Sequence, residues 1–521
     1  MTASPHHSVL RVGDGTLTSG DVERVARGEA RVVLAPDVLD RVGRWAVRAA
    51  EYAGNRPIYG RSTGVGANRG VPVTPDAGHA LRLLRSHATS AGPLRSPERV
   101  RAMLLVRLAQ LAAGGNGIDP AVVQALVALL DADALPPVRE WVGIGTGDLS
   151  ALATTALVLT GEVPASRPVP MTVTFGPGDA LAFLSSNAAA LGDAALAVAA
   201  LRRLAAASLV TGSLTLAAVR GNREAFAPAV AVATPFPGAA TVCRTVRTLT
   251  DPSRDPGPRG ADEPARPQGA ESREVAGPRD DPRGVGGPAR IQDPFGLRTM
   301  PQVHGALLDA LDRAEAVVTA MATAPSENPA LSPEHGVAHH GAFHAAYLGQ
   351  ALDALRLAVA EAAATTLSRV TMLAEPELTG DEPFLADGTP GASGTMVVEY
   401  VAAAVVGDLR ASADPAGRHT VTVSRGLEDG ASQASLAARE TLGVVEPLRV
   451  LLGCELLTAA RALGPLGPAA TLPPALEPVL EAVAEAVPRL GDRADRDLTT
   501  DLEEAVRLVD GLPALAGASL G

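Results

Sequence analysis

The sequence predicts a mainly α-helical protein that folds as a bundle of long helices. Alanine- and leucine-rich segments with apolar residues three or four positions apart recur along the 521 residues, and this spacing is typical of helices. Aromatic residues are only 2% of the chain, so the core must consist mainly of Ala, Leu and Val, which suit close packing of long helices. The predicted helices cover residues 98–113, 120–132, 179–219, 302–322, 345–373, 393–407 and 433–463.

The composition excludes several classes of protein. The net charge is −12, all 45 basic residues are arginine, and no basic tract indicates nucleic-acid binding. Cys243 and Cys454 are too few for a disulfide framework, and the first residues contain no apolar signal region. Charged residues interrupt the most apolar stretch, residues 187–219, which we therefore expect to be a buried helix. We expect a cytoplasmic protein with neither a nucleic acid nor a membrane as partner.

One segment divides the chain into two regions. Residues 251–289 are rich in Pro, Gly, Arg and Asp and nearly free of large apolar residues, so the segment cannot bury enough surface to fold alone. We expect a disordered insert there. It would separate an N-terminal region, residues 1–250, from a helical C-terminal region, residues 290–521.

A hydroxyl residue between two glycines precedes a predicted helix in the N-terminal region. Gly145, Thr146 and Gly147 are followed by Asp148 and the segment LSALATTALVLTG. Taken alone, this pattern is typical of a glycine-rich turn with Asp148 as the helix N-cap. It also resembles a phosphate-binding turn, as does GVGANRG at residues 64–70, but neither follows a clear β-strand in a βαβ unit, so no nucleotide is expected.

Several other motifs share one pattern. They are IYGRSTGVGANRG (58–70), LLRSHATSAG (83–92), QDPFGLRTMPQ (292–302), SENPAL (326–331) and GLEDGASQA (426–434). The first is similar to the signature Tyr-Gly-x-x-Thr-Gly-x-Gly of the aromatic amino acid ammonia-lyase family, and the third matches that family's Gln-Asp-x-x-x-Leu-Arg-x-x-Pro-Gln almost position for position. The set resembles histidine ammonia-lyases most closely. The resemblance implies that family's long-helix fold, a small amino acid substrate and a homotetramer with active sites shared between subunits.

The resemblance also implies roles for individual residues. Tyr59 would be the catalytic base, and a phenol with a reference pKa of about 10 needs nearby positive dipoles or donors to ionise at neutral pH. Arg298, in the C-terminal region, would clamp the substrate carboxylate. Without the family match, these would be packed or solvated loop residues. The further substrate contacts would be Ser86 and His87, a pair seen in histidine-selective members, together with Gln292, Asn328 and Glu428.

The chain departs from the family where the electrophile is made. The family's Ala-Ser-Gly cyclises and dehydrates to a methylidene-imidazolone group, and Gly145, Thr146 and Gly147 stand in its place. Gly147 has no side chain to hinder attack on the Gly145 carbonyl, but Thr146 would leave an ethylidene whose methyl group crowds the reactive carbon. The other departures are Ser185 for the catalytic asparagine, with Asn187 able to compensate only if the helix register shifts, Phe295 for a tyrosine, and Ala342 for an asparagine.

These observations favour a carbon–nitrogen (ammonia) lyase for L-histidine or a similar amino acid. An imidazolone-type group from the glycine-bracketed threonine would be its cofactor, with no metal, because the histidines at 335, 339, 340 and 344 have no carboxylate in the register of an HExxH motif. Two alternatives stay open. One is a lyase or isomerase of secondary metabolism that works without the prosthetic group, and the other is a catalytically inactive homologue.

Overall fold

The computed structural model describes residues 8–253, 290–464 and 472–518. It confirms the prediction of a mainly α-helical protein. The helices are α1 (Ser19–Ala26), α2 (Val38–Asn55), α3 (Ala77–His87), α4 (Pro97–Ala113), α5 (Pro120–Ala132), α6 (Leu149–Leu159), α7 (Asp179–Leu184), α8 (Ala188–Ala218), α9 (Pro228–Ala233), α10 (Pro237–Leu249), α11 (Phe295–Arg298), α12 (Met300–Ala322), α13 (Ala346–Met372), α14 (Pro376–Thr379), α15 (Met396–Ala411), α16 (Ala434–Gly443), α17 (Val445–Leu463), α18 (Glu477–Ala486), α19 (Thr499–Leu508) and α20 (Leu512–Leu515).

The strands of the described residues form three short pairs. The first pair is parallel and the other two are antiparallel. The strand before Gly145 thus belongs to an antiparallel pair and not to a βαβ unit. The pairs are β1 (Ser8–Val12) with β2 (Ala30–Leu34), β3 (Ala91–Leu94) with β4 (Arg139–Trp141), and β5 (Ala330–Ser332) with β6 (Gly336–Ala338).

The periodicity of the sequence located most helices correctly but missed two interruptions, one between α7 and α8 and one at Val444 between α16 and α17. The prediction of residues 120–132 coincides with α5, and that of residues 302–322 lies within α12. A single helix over residues 179–219 is wrong, because the chain leaves the helical path between α7 and α8 at Ser185, Ser186 and Asn187. The side chains at this break bond distant segments instead of the helix, as Ser186 Oγ does by donating to Gln110 Oε1 at 2.6 Å.

The most apolar helical stretch is buried, as predicted. Residues Asp179–Ala218 include a window with a mean hydropathy of 1.5, and by length and composition it is apolar enough to cross a membrane. However, 83% of that window is buried inside the protein. A core helix that is apolar all round gives the same signal.

The chain divides into two compact units that alternate along the sequence. Unit 1 comprises Met1–Arg202, Ala310–Leu357 and Arg410–Val445, and unit 2 comprises Arg203–Asp309, Ala358–Leu409 and Glu446–Gly521, in both cases as far as the chain is described. Residues 254–289 of the predicted insert lie outside the described residues. The division of the chain at this insert stays a prediction.

A largely buried charge cluster fixes the strand pair that leads into residues 145–148, the glycine loop of unit 1. Arg99 bonds both Glu140 of β4 (2.7 Å) and Asp193 of α8 (2.8 Å), and Arg95 reaches Asp193 at 2.9 Å. The Asp193 side chain is fully buried, so its charge is tolerable only because two guanidinium groups pair with it. The start of the glycine loop is thereby tied to α4 and α8.

The core of unit 2 also contains a buried ion pair. Arg369 and Glu455 are both fully buried and meet at 2.5 Å, and the hydroxyl groups of Thr211 and Thr215 donate to the same carboxylate. Arg369 also donates to the carbonyl oxygen of Gly296 in α11 at 3.1 Å. The pair therefore anchors the short helix that carries the predicted carboxylate clamp.

Candidate active site

A cavity of about 760 Å³ in unit 1 brings together many of the residues that the sequence predicted for the site. Its volume lies within the range of small-molecule sites, roughly 300–1,000 Å³. Backbone loops and helix ends supply most of its wall, and Leu181, Leu184 and Phe343 add apolar surface. The predicted residues in its lining are Tyr59, His87, Thr146, Ser185, Asn328 and Glu428.

The loop of Tyr59 is held by its own backbone and by a second loop. The phenol oxygen accepts a hydrogen bond from the Gly66 N–H at 2.8 Å, and the Tyr59 N–H donates to Nε2 of His339 at 3.2 Å. Ser424 Oγ accepts from the Ala67 N–H at 3.0 Å. Gly66 has a φ of +56°, and a Cβ there would lie 2.9 Å from Ser424 Oγ, so this approach requires glycine.

The surroundings of Tyr59 raise its pKa above the usual 10. Burial is the largest cause, and the negative charge of Glu428 acts in the same direction. The Gly66 N–H and the guanidinium of Arg69 lower the pKa, but less. The donors that a phenolate needs are thus present beside Tyr59, but among the described residues desolvation outweighs them.

The glycine loop places its hydroxyl in the cavity and its backbone against buried partners. Thr146 Oγ donates to Glu428 Oε2 at 3.2 Å. The Gly147 N–H donates to Oδ1 of Asn187 at 3.1 Å, and Nδ2 of Asn187 donates to the Phe343 carbonyl at 2.6 Å. The break after α7 therefore delivers Asn187 to this loop, so the asparagine that faces the glycine loop lies two positions beyond Ser185.

Gly145 cannot carry a side chain in this conformation. Its φ is +86°, and a Cβ would lie 2.1 Å from Ser432 Oγ and 2.6 Å from the backbone nitrogen of Ala434. Its carbonyl oxygen accepts hydrogen bonds from the Ala345 N–H at 3.0 Å and from Ser432 Oγ at 2.8 Å. Alanine, the first residue of the Ala-Ser-Gly motif, would not fit at position 145 without movement of α16.

Asp148 is not the side-chain cap of α6 that the sequence pattern predicted. It occupies the N-cap position, but its side chain makes no cap bond to α6. Instead its fully buried carboxylate accepts from the Ala190 N–H at the start of α8 (2.8 Å) and from Ser435 Oγ (3.1 Å). Burial raises the pKa of this carboxyl above its ordinary value. Asp148 thus ties the loop to α8 and α16.

Ser185 and Asn328 meet at the edge of the cavity. Ser185 Oγ accepts from the Asn328 N–H at 3.2 Å, and Asn328 Oδ1 accepts from the His340 N–H at 2.9 Å. Behind them Arg107, which is fully buried, bonds the Phe183 carbonyl at 3.0 Å and Glu327 at 2.7 Å. Burial raises the pKa of Glu327 although Arg107 opposes this effect. The Arg107–Glu327 pair fixes the end of α7 and the loop that contains Asn328.

His87 faces the cavity while its neighbour Ser86 does not. Nδ1 of His87 lies 2.9 Å from the Leu83 carbonyl oxygen and 2.9 Å from Ser86 Oγ. Because a carbonyl only accepts, we assign the proton of the neutral ring to Nδ1, which leaves Nε2 as an acceptor. Ser86 is exposed and absent from the cavity lining, so it supports His87 rather than lining the site.

The predicted clamp residues belong to unit 2. Gln292 is exposed, and Phe295 is 65% exposed. The guanidinium carbon of Arg298 lies 4.6 Å above the Phe295 ring, and its buried Nε has no hydrogen-bond partner among the residues that the structure describes. Arg298 therefore offers a donor for a carboxylate, whereas Phe295 has no hydroxyl to contribute.

The histidines near Asn328 are occupied by protein partners. Nδ1 of His340 accepts from the Ala342 N–H at 2.9 Å, so Nε2 carries the proton that is donated to the Glu327 carbonyl at 2.7 Å. His339 accepts from the Tyr59 N–H, as described above. Within residues 8–253, 290–464 and 472–518, no group of three or more His, Cys, Asp or Glu side chains is arranged to hold a metal ion.

Comparison with known proteins identifies the family and the fold. The family described as aromatic amino acid lyase matches residues 17–485. The histidine ammonia-lyase of Symbiobacterium thermophilum is 34% identical over 96% of this chain and 98% of its own length, and that of Anaeromyxobacter sp. (strain K) is 33% identical over 95% and 97%. The crystal structure of histidine ammonia-lyase from Trypanosoma cruzi superposes with a TM-score of 0.81 at 22% identity, covering 98% of this chain and 95% of that one, so the predicted long-helix fold of the ammonia-lyases is confirmed. This chain belongs to the aromatic amino acid lyase family.

Proposed function

We propose that the protein is an ammonia-lyase for L-histidine or another amino acid with an imidazole-like side chain. The observation that carries this proposal is that Tyr59, His87, Thr146 and Glu428 line one cavity. They come from four segments that are distant in sequence, and each has a chemical role in the elimination of ammonia. The curated relatives are histidine ammonia-lyases, which are carbon–nitrogen lyases.

The residues of the glycine loop fit the prosthetic group for which the family is known. Gly145 and Gly147 both have positive φ values, the Gly145 carbonyl is held by two donors, and the Thr146 hydroxyl faces the cavity. Once formed from these residues, the group would supply an electron-poor carbon at position 146. The Thr146 methyl group would slow addition there by crowding.

The side chains around Thr146 would bind the substrate and move its proton. Tyr59, as phenolate, would take the β-proton onto its oxygen. Nε2 of His87 and the carboxylate of Glu428 would each accept a hydrogen bond from an imidazole N–H. Glu428 Oε2 accepts from the Thr146 hydroxyl in the unreacted chain, so loss of that hydroxyl would free this oxygen for the substrate.

Arg298 would hold the substrate carboxylate. Its Nε has no partner in the described part of the chain, so the guanidinium, which lies against the Phe295 ring, would be available for a bidentate, charge-assisted pair. Following the family, we propose a homotetramer in which subunits share active sites. Gln292, which is exposed beside this segment, would belong to the same polar surroundings.

Ammonia release from a panel of L-amino acids tests the proposal. The purified protein is incubated separately with L-histidine, L-phenylalanine and L-tyrosine, and ammonia and the conjugated acid product are quantified. We expect turnover of L-histidine above the other two, and we expect His87→Phe to abolish that preference. Arg85→Gln is the matched control, because Arg85 lies on the same helix but pairs with Glu162 away from the cavity. Absence of ammonia from all three, with exchange of a substrate β-proton in deuterated water, would instead favour a lyase or isomerase without the prosthetic group.

A further inference from the structure

The buried carbonyl oxygen of Gly145 accepts hydrogen bonds from two donors. Ser432 Oγ donates to it at 2.8 Å and the Ala345 N–H at 3.0 Å. Gly145 is buried, and Ser432 is only 7% exposed. Donors fixed in this way around one carbonyl oxygen stabilise the negative charge that develops there when a nucleophile adds to the carbon.

The nitrogen that would add to this carbon is oriented as well. The Gly147 N–H donates to Asn187 Oδ1 at 3.1 Å. Asn187 cannot turn its amide freely, because its Nδ2 donates to the Phe343 carbonyl at 2.6 Å. An acceptor on the N–H increases the electron density on nitrogen and holds the proton away from the direction of attack.

We propose that Ser432 and the Ala345 N–H form an oxyanion site for ring closure between Gly145 and Gly147, with Asn187 orienting the attacking nitrogen. This inference rests on the proposed function, because the ring is the precursor of the proposed prosthetic group. Ser432 lies outside the residues that the family resemblance assigned, and it would act on the protein's own backbone rather than on the substrate.

The reaction balances without any added reagent. The Gly147 nitrogen forms a bond to the Gly145 carbonyl carbon, the carbonyl electron pair moves to the oxygen held by the two donors, and the proton lost by the nitrogen ends on that oxygen. The resulting hydroxyl leaves as water with the proton of the Thr146 nitrogen, which creates a C=N bond. A second water takes the Thr146 hydroxyl and its Cα proton.

The glycine at position 145 permits this contact. A Cβ there would lie 2.1 Å from Ser432 Oγ, so a side chain would push the hydroxyl out of reach of the carbonyl oxygen. Glycine in place of the family's alanine at position 145 is therefore what allows the Ser432 hydroxyl to reach the carbonyl oxygen.

The rate at which the loop loses water tests the role of Ser432. After a short pulse of synthesis, mass spectrometry follows the arginine-terminated peptide that begins at Glu140, in the wild type and in Ser432→Ala, Ser432→Thr and Ser435→Ala. Ser435 is the matched control, because it is also a buried serine, three residues after Ser432, but its hydroxyl donates to Asp148. In Ser435→Ala the Asp148 carboxylate still accepts from the Ala190 N–H. The same set is made with Thr146→Ser, which supplies an unhindered precursor.

We expect Ser432→Ala to lose two waters roughly a hundred- to a thousandfold more slowly than the wild type, the usual effect of removing one oxyanion donor. Ser432→Thr, which keeps the hydroxyl, and Ser435→Ala should stay close to the parent, and the urea midpoints of all variants show whether they are folded. Equal rates of water loss in folded Ser432→Ala and its parent would overturn the oxyanion site and leave the proposed function intact. If neither the wild type nor Thr146→Ser ever loses water, the proposed prosthetic group fails and the oxyanion site fails with it.

Discussion

The glycine loop, residues 145–148, and the base loop, residues 58–70, face the same cavity but are held in different ways. Distant buried groups hold the glycine loop: the Gly145 carbonyl binds Ser432 and Ala345, and the Gly147 N–H binds Asn187. The base loop is held largely by its own atoms, such as the Gly66 N–H on the Tyr59 oxygen, and its end is exposed.

The glycine loop and the base loop should therefore affect activity differently, the first through its geometry and the second through the charges around Tyr59. A loop whose backbone is bonded to buried partners keeps one geometry, so an added side chain at its backbone contacts should stop the chemistry altogether. A half-exposed loop tolerates substitution, and its chemistry depends on the charges around one phenol. Side chains added at the backbone contacts of the glycine loop should therefore abolish activity. Substitutions around the base loop should instead change the rate or its pH dependence.

Gly145→Ala should have the largest effect. The added methyl group would meet Ser432 Oγ at 2.1 Å and the Ala434 nitrogen at 2.6 Å, at a φ that L side chains rarely adopt. We expect no loss of water from the loop, ammonia release at background level, and a loss of about 1–3 kcal/mol in the free energy of unfolding. Peptide mass spectrometry and urea unfolding measure these effects. Gly161→Ala is the control, since Gly161 has a similar φ of +81° but its nearest neighbour, Thr172, lies 3.6 Å away. Normal water loss in Gly145→Ala would show that the loop is looser than its contacts indicate.

Tyr59→Phe should have the second largest effect. It removes only the oxygen that accepts from the Gly66 N–H, so the ring and its packing remain. We expect kcat to fall about a hundred- to ten-thousandfold, the usual contribution of a general base. Water loss from the glycine loop should be unaffected, because Tyr59 makes no bond to that loop in the described structure. A Tyr59→Phe protein that keeps wild-type kcat would require another base.

The sequence predicted the helical fold well because its signal is local and repeated. Apolar spacing located α5 to the residue, and the family motifs led to Tyr59, His87, Thr146, Ser185, Asn328 and Glu428 of the cavity. Spacing failed at Ser185–Asn187, where three polar residues end α7 before α8 begins. That break depends on partners from distant segments, such as the Phe343 carbonyl that binds Asn187.

The residues that the sequence missed are those that act through the backbone. Ser432 lies in the segment that was compared with the family for Glu428, but a small polar residue before a helix carries no sign that its hydroxyl reaches Gly145. The prediction that the Asp148 side chain caps α6 was wrong. The N-cap pattern is common in sequences, and the true partners of this side chain, Ala190 and Ser435, are distant in sequence. The raised pKa of Tyr59 likewise comes from burial, which no motif encodes.

Thr146→Ser tests whether the glycine loop limits the rate through its methyl group. Serine keeps the hydroxyl that donates to Glu428 and removes the group that would crowd the reactive carbon. We expect kcat for L-histidine to rise roughly tenfold or more, in line with the worth of one methyl-sized group in a packed site. Thr63→Ser serves as control, because Thr63 also lines the cavity but lies in the base loop. An unchanged kcat with faster water loss would place the limit at the base instead.

The charges around Tyr59 should produce the smallest and most specific effect, a shift of the pH profile. Tyr59 must lose its proton to act as a base, so kcat/KM should rise with pH towards its raised pKa. Glu428 raises this pKa and Arg69 lowers it. Glu428→Gln should therefore move the rise to lower pH, and Arg69→Gln should move it to higher pH.

Each shift should be about one pH unit or less, because a single charge a few ångströms away in a partly solvated site is worth about 1 kcal/mol. Arg69 is exposed, so added salt should reduce its effect more than that of Glu428, which is partly buried beside Thr146. Profiles of kcat/KM against pH at two ionic strengths measure both shifts. Since Glu428 is also proposed to bind the substrate, its variant should raise KM as well, whereas Arg69→Gln should not. Shifts of the same sign in both variants would mean that the rising limb does not report the ionisation of Tyr59.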